Sequence, residues 1–187
     1  HTYMAFTSTC CSHLPSLVLP LPPHAPCPMP QPHSCLSLGT NSGVQIRSHV
    51  KDKNRVFGYQ VEIDPDTERN RMWTGGIYDE GRRGWINDLS KNEAARKAFK
   101  PEAWNKIRVR AFGDSIRTWL NDVPAADLID AMTSSGFIGL QVHGVGNKKD
   151  GPYEVRWRNI RIQDLGNHQW TPFFDGKTLE GATTGNL

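Results

Sequence analysis

Short segments in which apolar and polar residues alternate recur along most of the chain. They cover residues 43–48, 59–64, 105–112, 115–120, 125–129, 137–143 and 153–162. Because successive side chains of a strand point to opposite faces, this alternation predicts half-buried strands. Gly, Asn, Asp and Pro separate the segments, and one short helix is predicted over residues 92–99, ended by Pro101. The pattern predicts an all-β, antiparallel sandwich or barrel.

The alternation also assigns a face to each side chain. The apolar positions predicted to face inward are Val44, Ile46, Tyr59, Val61, Ile63, Ile107, Val109, Ile116, Leu140, Val142, Val155 and Trp157. The polar positions between them form sets that share a face: Gln45 with Arg47, Gln60 with Glu62 and Asp64, and Gln141 with His143. Planar amides, carboxylates and guanidinium groups are suited to binding sugar hydroxyls. The alternative is a solvated outer face, where the same polar residues need no ligand.

A glycine-rich segment over residues 72–85 carries Trp73, Tyr78 and Trp85. It is either a strand and loop lining a carbohydrate cleft or a tight turn with its aromatic rings in the core. The chain has no phosphate-binding loop, no Gly-x-Ser-x-Gly and no His-Glu-x-x-His. Nucleophilic Ser or Cys catalysis therefore has no support in the sequence.

Charge and hydropathy exclude two classes of partner. Against 22 Lys and Arg stand 19 Asp and Glu among 187 residues, and no basic run occurs. This balance argues against nucleic acid. No stretch reaches the roughly 20 apolar residues that a membrane-spanning helix needs.

The first 46 residues contain no Asp, Glu, Lys or Arg, although they hold all four cysteines and eight of the 13 prolines. We interpret residues 1–39 as a polyproline-type or disordered tail, or as a non-native product of a wrong reading frame or mis-set start. A zinc site there fits no common ligand spacing. The predicted organisation is a tail over 1–39, a sandwich domain over 40–166, and a linker with the start of a second copy over 167–187.

Seven blocks in sequence order resemble the 3-keto-disaccharide hydrolase domain family. They lie at residues 39–48, 58–64, 74–78, 104–109, 119–124, 139–144 and 158–161. The resemblance implies a concanavalin A-like jelly roll, here incomplete at its N-terminus because the family's opening strands are replaced by the charge-free stretch. Residues 170–181 resemble the family's own opening segment. They either begin a tandem copy or fold back to replace the first strand.

The resemblance also implies a reaction. Family members are associated with cleaving glycosides already oxidised to a ketone at C3, by C2 proton abstraction and elimination at C1. We predict His143 or Glu62 as the base, Arg47 and Gln45 near the C3 oxygen, and Asp64 or Tyr78 near the leaving group. The predicted carbohydrate-binding set is Gln45, Arg47, Gln60, Tyr78, Trp85 and Gln141.

The cofactor and location follow from the same resemblance. A divalent metal ion is one candidate for the electrophile, with no ligands identified in the sequence. The resemblance implies a secreted or periplasmic bacterial enzyme, although no signal peptide is recognisable. The alternative is a non-catalytic glycan-binding jelly-roll module.

Overall fold

The computed structural model describes residues 2–8, 33–36, 41–66, 69–101, 103–144 and 155–166. Within these ranges the chain is an antiparallel jelly-roll sandwich of two sheets, as predicted. No helix among them is long and apolar enough to cross a membrane. The elements are β1 (Thr2–Ser8), β2 (His33–Leu36), β3 (Ser42–Lys51), β4 (Arg55–Ile63), β5 (Ile77–Glu80), β6 (Gly84–Asn87), α1 (Glu93–Ala98), β7 (Asn105–Phe112), β8 (Ser115–Leu120), β9 (Val123–Ile129), β10 (Phe137–Val142) and β11 (Val155–Asp164).

The two sheets differ in how their strands follow one another. The smaller sheet has the order β10, β3, β4, β5, β6. In the larger sheet β7, β8 and β9 form a meander, and β11 joins it through β1 and β2. The turn between β8 and β9 is Asn121–Asp122, and both residues have positive φ, of 49° and 68°. Such turns suit Asn and Asp, which tolerate the left-handed region.

Apolar residues of the inner faces form the core between the sheets. Eight of the twelve residues predicted to face inward are buried, and Val155 and Trp157 pack against them. The predictions for Leu140 and Val142 were wrong about burial, since both side chains are exposed. Both lie on β10, which among the described strands stands at the edge of the smaller sheet and pairs with β3 alone.

The segment expected to be a tail contributes two strands. Both β1 and β2 pair antiparallel with β7 and with β11. Strand pairing uses backbone groups alone, so a charge-free composition does not prevent it. Residues 9–32 and 167–187 lie outside the described residues, so the boundaries of the tail and the second copy stay predictions.

Candidate functional site

Polar side chains cross the smaller sheet in a row at right angles to the strands. Backbone pairing places Gly139 beside Gln45, Gln45 beside Gln60, Gln60 beside Tyr78, and Tyr78 beside Trp85. The neighbouring inward residues Val44, Val61 and Ile77 are fully buried in the core. Because side chains alternate along a strand, the row lies on the other face of the sheet, which we call the polar face.

The polar face is held together by a chain of hydrogen bonds. The Ser48 hydroxyl donates to Gln45 Oε1 at 2.7 Å, and Gln45 Nε2 donates to Gln60 Oε1 at 2.5 Å. The Gln60 amide donates in turn to Glu62 Oε2 at 2.5 Å and lies 3.3 Å from Gln141 Oε1. Asn41 Nδ2 donates to Glu62 Oε1 at 2.6 Å. Four of the sequence-predicted residues, Gln45, Gln60, Glu62 and Gln141, are therefore brought together.

Gly43 makes room for this chain. A Cβ at Gly43 would lie 2.5 Å from Cγ of Gln60 and 2.8 Å from its amide nitrogen. A larger residue would therefore push Gln60 away from Glu62. Gly43 belongs to the same alternating segment as Gln45, and the sequence pattern alone gave no reason to single it out.

Glu62 is the group with the most unusual electrostatics on the polar face. Its side chain is buried, with the residue only 5% exposed. Burial raises the pKa of Glu62 from 4.5 to about 7, against the opposing effect of the hydrogen bonds from Asn41 and Gln60. The nearby charges of Asp64 and Glu80 raise this pKa further. A carboxyl group of this kind is half ionised near neutral pH, which suits a general base.

Asp64 is engaged in a separate contact. Its Oδ2 lies 3.0 Å from Arg71 Nε, and its Oδ1 accepts from Arg71 Nη2 at 3.3 Å. The backbone nitrogen of Asp64 donates to the Thr74 hydroxyl at 3.1 Å. Burial raises the pKa of the Asp64 carboxyl, while Arg71 lowers it. This arrangement anchors the loop after β4 and leaves Asp64 poorly placed as a proton donor.

Arg47 does not share a face with Gln45, contrary to the sequence prediction. The pairing of β3 with β4 shifts register between Ile46 and His49, and Arg47 has a φ of 47°. This β-bulge breaks the period of two. Ser48 takes the place beside Gln45. Arg47 is buried instead, and this burial lowers the pKa of its guanidinium group. Electrostatic interactions with Tyr59 and Asp114 raise that pKa in part.

His143 follows the last residue of β10 and is exposed. Its Nδ1 lies 2.7 Å from the carbonyl oxygen of the neighbouring Gly144. Backbone pairing of Val142 with Ser42 brings this end of β10 next to Asn41, the partner of Glu62. Among the described residues no hydrogen bond joins the His143 ring to Glu62, so the two predicted bases are neighbours by position only.

Aromatic rings border the polar face at its β6 side. The rings of Trp73 and Trp85 meet edge to face at 4.9 Å, and those of Tyr78 and Trp85 at 5.4 Å. Gly76 lies beneath this cluster, because a Cβ there would come within 3.1 Å of the Trp85 ring. The glycine-rich segment therefore forms β5 and β6 and carries aromatic surface beside the amides.

A cavity of about 270 Å³ opens on the β10 side of the same sheet. Arg55 Nη2 and Glu80 Oε1 form an ion pair at 2.6 Å within its lining. Glu62 does not line the cavity. The amide of Gln60 links it by hydrogen bonds to the lining residues Gln45 and Gln141. Sequence reasoning missed Asn41, which precedes β3, and Ser48, which the bulge moves beside Gln45. It also missed Arg55 and Glu80, which lie outside the alternating segments, and it did not single out Phe137 within its segment. The lining residues are Gln45, Arg55, Val56, Glu80, Phe137, Gly139, Leu140 and Gln141.

The described residues bring together no group of three or more His, Cys, Asp or Glu side chains that could hold a metal ion. Both oxygens of Glu62 already accept hydrogen bonds from amides. We therefore assign no metal ligand among the described residues.

The sequence model of a protein family described as "3-keto-alpha-glucoside-1,2-lyase-like domain" matches residues 29–163 of the chain. This chain belongs to that family. The matched range includes β2 to β10 and nearly all of β11, so the whole polar face lies within the 3-keto-alpha-glucoside-1,2-lyase-like domain. It also begins eleven residues before residue 40, where the sandwich domain was predicted to begin.

A solved structure from Parabacteroides distasonis, described as "Putative glycosyl hydrolase", shares the fold of this 3-keto-alpha-glucoside-1,2-lyase-like domain. The TM-score is 0.50 and the sequence identity 19%, with 88% of this chain and 78% of that chain covered. No curated protein matched the chain. Family membership and fold together give the protein a carbohydrate-related, hydrolase- or lyase-like function.

Proposed function

We propose that the protein cleaves 3-keto-glycosides by removing the C2 proton and eliminating the group at C1. The observation that carries the proposal is Glu62, a buried carboxyl group with a pKa of about 7 among sugar-compatible amides. A ketone at C3 acidifies the C2 proton, so a base of this strength is sufficient. Family membership supports the substrate class, since the family description names a 3-keto-alpha-glucoside.

The proposed reaction begins with proton removal by Glu62. The Glu62 carboxylate takes the C2 proton, and the C2–H electron pair forms a C2=C3 double bond while the C3 oxygen becomes negative. Collapse of this enolate restores the C3 ketone, forms a C1=C2 double bond and breaks the bond from C1 to the leaving oxygen, which takes up one proton. Tyr78 is the donor that we favour, because it is paired beside Gln60 on the polar face. Water adds to the resulting double bond if the overall reaction is hydrolysis.

The amides have two parts in this scheme. Gln45 and Gln141 line the cavity, and their amide groups are suited to donating to a C3 oxygen that gains charge. Asn41 and Gln60 cover the Glu62 carboxylate, so the substrate has to displace one of them to reach it. We expect Asn41 to move, since it is only half-buried while Gln60 is 1% exposed.

The test is an assay of the 187-residue chain on a p-nitrophenyl 3-keto-α-glucoside. We expect cleavage, and we expect Glu62→Gln to lower kcat about 10²- to 10⁴-fold, the usual share of a general base. Glu93→Gln is the matched control, because Glu93 lies on α1, outside the polar face, and pairs with Lys97 at the surface.

Two results would contradict this proposal. One is full activity of the Glu62→Gln protein. The other is the binding of an unoxidised α-glucoside with no cleavage of its 3-keto form, which would favour a glycan-binding module. The aromatic rings of Tyr78 and Trp85 are suited to sugar binding in either case.

A further inference from the structure

The cavity on the polar face extends beyond the residues that the proposed reaction uses. Near Glu62 it is lined by Gln45 and Gln141, which Gln60 joins to that carboxyl group by hydrogen bonds. At its other end it is lined by residues to which the proposed reaction assigns no part. They are Arg55, Val56, Glu80 and Phe137, and we call them the distal pocket.

Register fixes the separation of the distal pocket from Glu62. Gly58 lies four residues before Glu62 on β4, and it pairs with Glu80 on β5. Four residues of a strand span about 13 Å, which is longer than a single sugar ring. Tyr78 lies between the two ends, because it pairs with Gln60 midway along this stretch. Since Tyr78 is the favoured donor to the leaving oxygen, the group attached to that oxygen extends toward the distal pocket.

An aromatic ring forms one wall of the distal pocket. A Cβ at Gly139 would lie 3.5 Å from Phe137 Cε2 and 3.7 Å from Gln45 Cβ, so the ring stands on the polar face beside Gln45. Phe137 is 40% exposed, which leaves part of the ring open to a ligand. Val56 adds an aliphatic surface on the same face, two residues before Gly58. Apolar surfaces of this kind suit a flat aromatic group.

The two charged groups of the distal pocket compensate each other. Arg55 Nη2 donates to Glu80 Oε1 at 2.6 Å, so the pair carries no net charge and gives a charged leaving group no advantage. The Arg55 side chain is 59% exposed, and its planar guanidinium group is suited to stacking on an aromatic ring. A second sugar would need several hydrogen-bonding partners, whereas the other lining side chains here are apolar.

We propose that the distal pocket binds an aryl group carried by the C1 oxygen, which makes aryl 3-keto-glycosides the preferred substrates. The inference rests on the proposed function, because the order of Glu62, Tyr78 and the distal pocket along the sheet identifies the leaving group as the occupant. The aryl ring contacts Phe137 and Val56, and these contacts hold the C1 oxygen beside Tyr78.

Kinetics on two substrates tests the proposal with the full 187-residue chain. The substrates are p-nitrophenyl 3-keto-α-glucoside and methyl 3-keto-α-glucoside, whose methyl group is too short to reach Phe137. We expect Phe137→Ala to lower kcat/KM about ten-fold more on the aryl substrate than on the methyl substrate. Comparing each variant with the parent on the same substrate removes the difference in leaving-group acidity. Ile129→Ala is the matched control, since Ile129 is 71% exposed on β9 of the other sheet.

A second variant guards against an effect of Phe137→Ala on folding. Val56→Thr replaces a methyl group by a hydroxyl group at nearly constant shape, and it should shift the ratio of the two kcat/KM values in the same direction. Circular dichroism checks that each variant is folded. Equal losses on both substrates would overturn the distal pocket while cleavage by the parent upholds the proposed function. A greater loss on a 3-keto-disaccharide than on the aryl substrate would make a second sugar the occupant and would also overturn it.

Binding decides the matter if the parent cleaves neither substrate and the proposed function fails. Titration calorimetry then compares unoxidised p-nitrophenyl α-glucoside with methyl α-glucoside. We expect the parent to bind the aryl glucoside about ten-fold more tightly, and Phe137→Ala to lose this difference. Equal affinities of the parent for the two glucosides would contradict an aryl-binding pocket.

Discussion

The carboxyl group of Glu62 links stability and activity at the scale of a single residue. Its two oxygens accept hydrogen bonds from Asn41 and Gln60, and burial nevertheless raises its pKa to about 7. Burial therefore dominates the local electrostatics. The charged form is the one that the proposed reaction uses, and it is also the form that the folded chain disfavours.

We predict that Glu62 makes the fold less stable as the pH rises. In the unfolded chain its carboxyl group ionises near 4.5, and in the folded chain near 7. Between these values unfolding releases a proton, so the free energy of unfolding falls with increasing pH, by roughly 3 kcal/mol in total. Above about pH 7 this contribution becomes constant.

Urea unfolding of the parent and of Glu62→Gln between pH 4 and pH 8 measures this effect. The difference in unfolding free energy between the two proteins should shift in favour of the variant across this range. A difference that is independent of pH would show that Glu62 ionises alike in both states. Activity should rise with pH over the same interval, with a midpoint near 7, since the carboxylate is the proposed base.

The alternation of the sequence was enough to predict several residues of this site but not their partners. Gln45, Gln60, Glu62 and Gln141 follow from the period of two, because their strands are regular at these points. Asn41 could not be found this way, since it precedes β3 and reaches Glu62 from outside the pattern. Asp64 was predicted as an acid, and the sequence pattern did not reveal its contact with Arg71.

At the scale of elements, the bulge in β3 decides which side chains face the cavity. Two glycines flank it. A Cβ at Gly58 would lie 2.6 Å from the Ser48 hydroxyl, and a Cβ at Gly136 would lie 2.5 Å from the Arg47 carbonyl carbon. Both glycines also have strongly positive φ angles, of 136° and 142°. The sequence offered no signal for the bulge, because its two residues, Arg47 and Ser48, are ordinary strand residues.

We predict that Gly136→Ala destabilises the chain by about 2 kcal/mol or more, because the added methyl group meets backbone atoms and the backbone conformation is unfavourable for alanine. Gly144→Ala is the matched control, since no atom of the described residues lies within 4 Å of a Cβ at that position. Thermal unfolding of both variants measures the difference. Equal transition temperatures would mean that the bulge can shift without loss.

At the scale of the whole molecule, buried polar contacts fasten one layer to the other. The hydroxyl group of Thr118, in β8 of the larger sheet, donates to the carbonyl oxygen of Gly75, next to β5 of the smaller sheet. The Thr118 hydroxyl oxygen also accepts a hydrogen bond from the Ala126 backbone nitrogen at 2.9 Å. Thr118 is 1% exposed, so water cannot replace either contact.

We predict that Thr118→Val lowers the free energy of unfolding by about 1–3 kcal/mol, because it leaves two buried backbone groups unpaired. Thr118→Ser keeps the hydroxyl group and should lose less. Chemical unfolding followed by tryptophan fluorescence measures both variants. A Thr118→Val protein as stable as the parent would show that the layers are held by apolar packing alone.

The all-β class, the short helix and the meander of β7 to β9 were predictable, because each depends on local alternation and on turn residues. The pairing of β1 and β2 with β7 and β11 was not, since it depends on contacts between distant parts of the chain. The exposure of Leu140 and Val142 was missed for the same reason. Alternation predicts a face and says nothing about what covers it.

The central strands β3 and β4 are buried on both faces, with apolar side chains on one and hydrogen-bonded amides and Glu62 on the other. The two faces share one backbone. A change that adjusts which sugar the polar face accepts therefore also disturbs the core a few ångströms away. In evolutionary terms, new specificities are most accessible through the less buried strands β5, β6 and β10 at the margins, while β3 and β4 stay fixed.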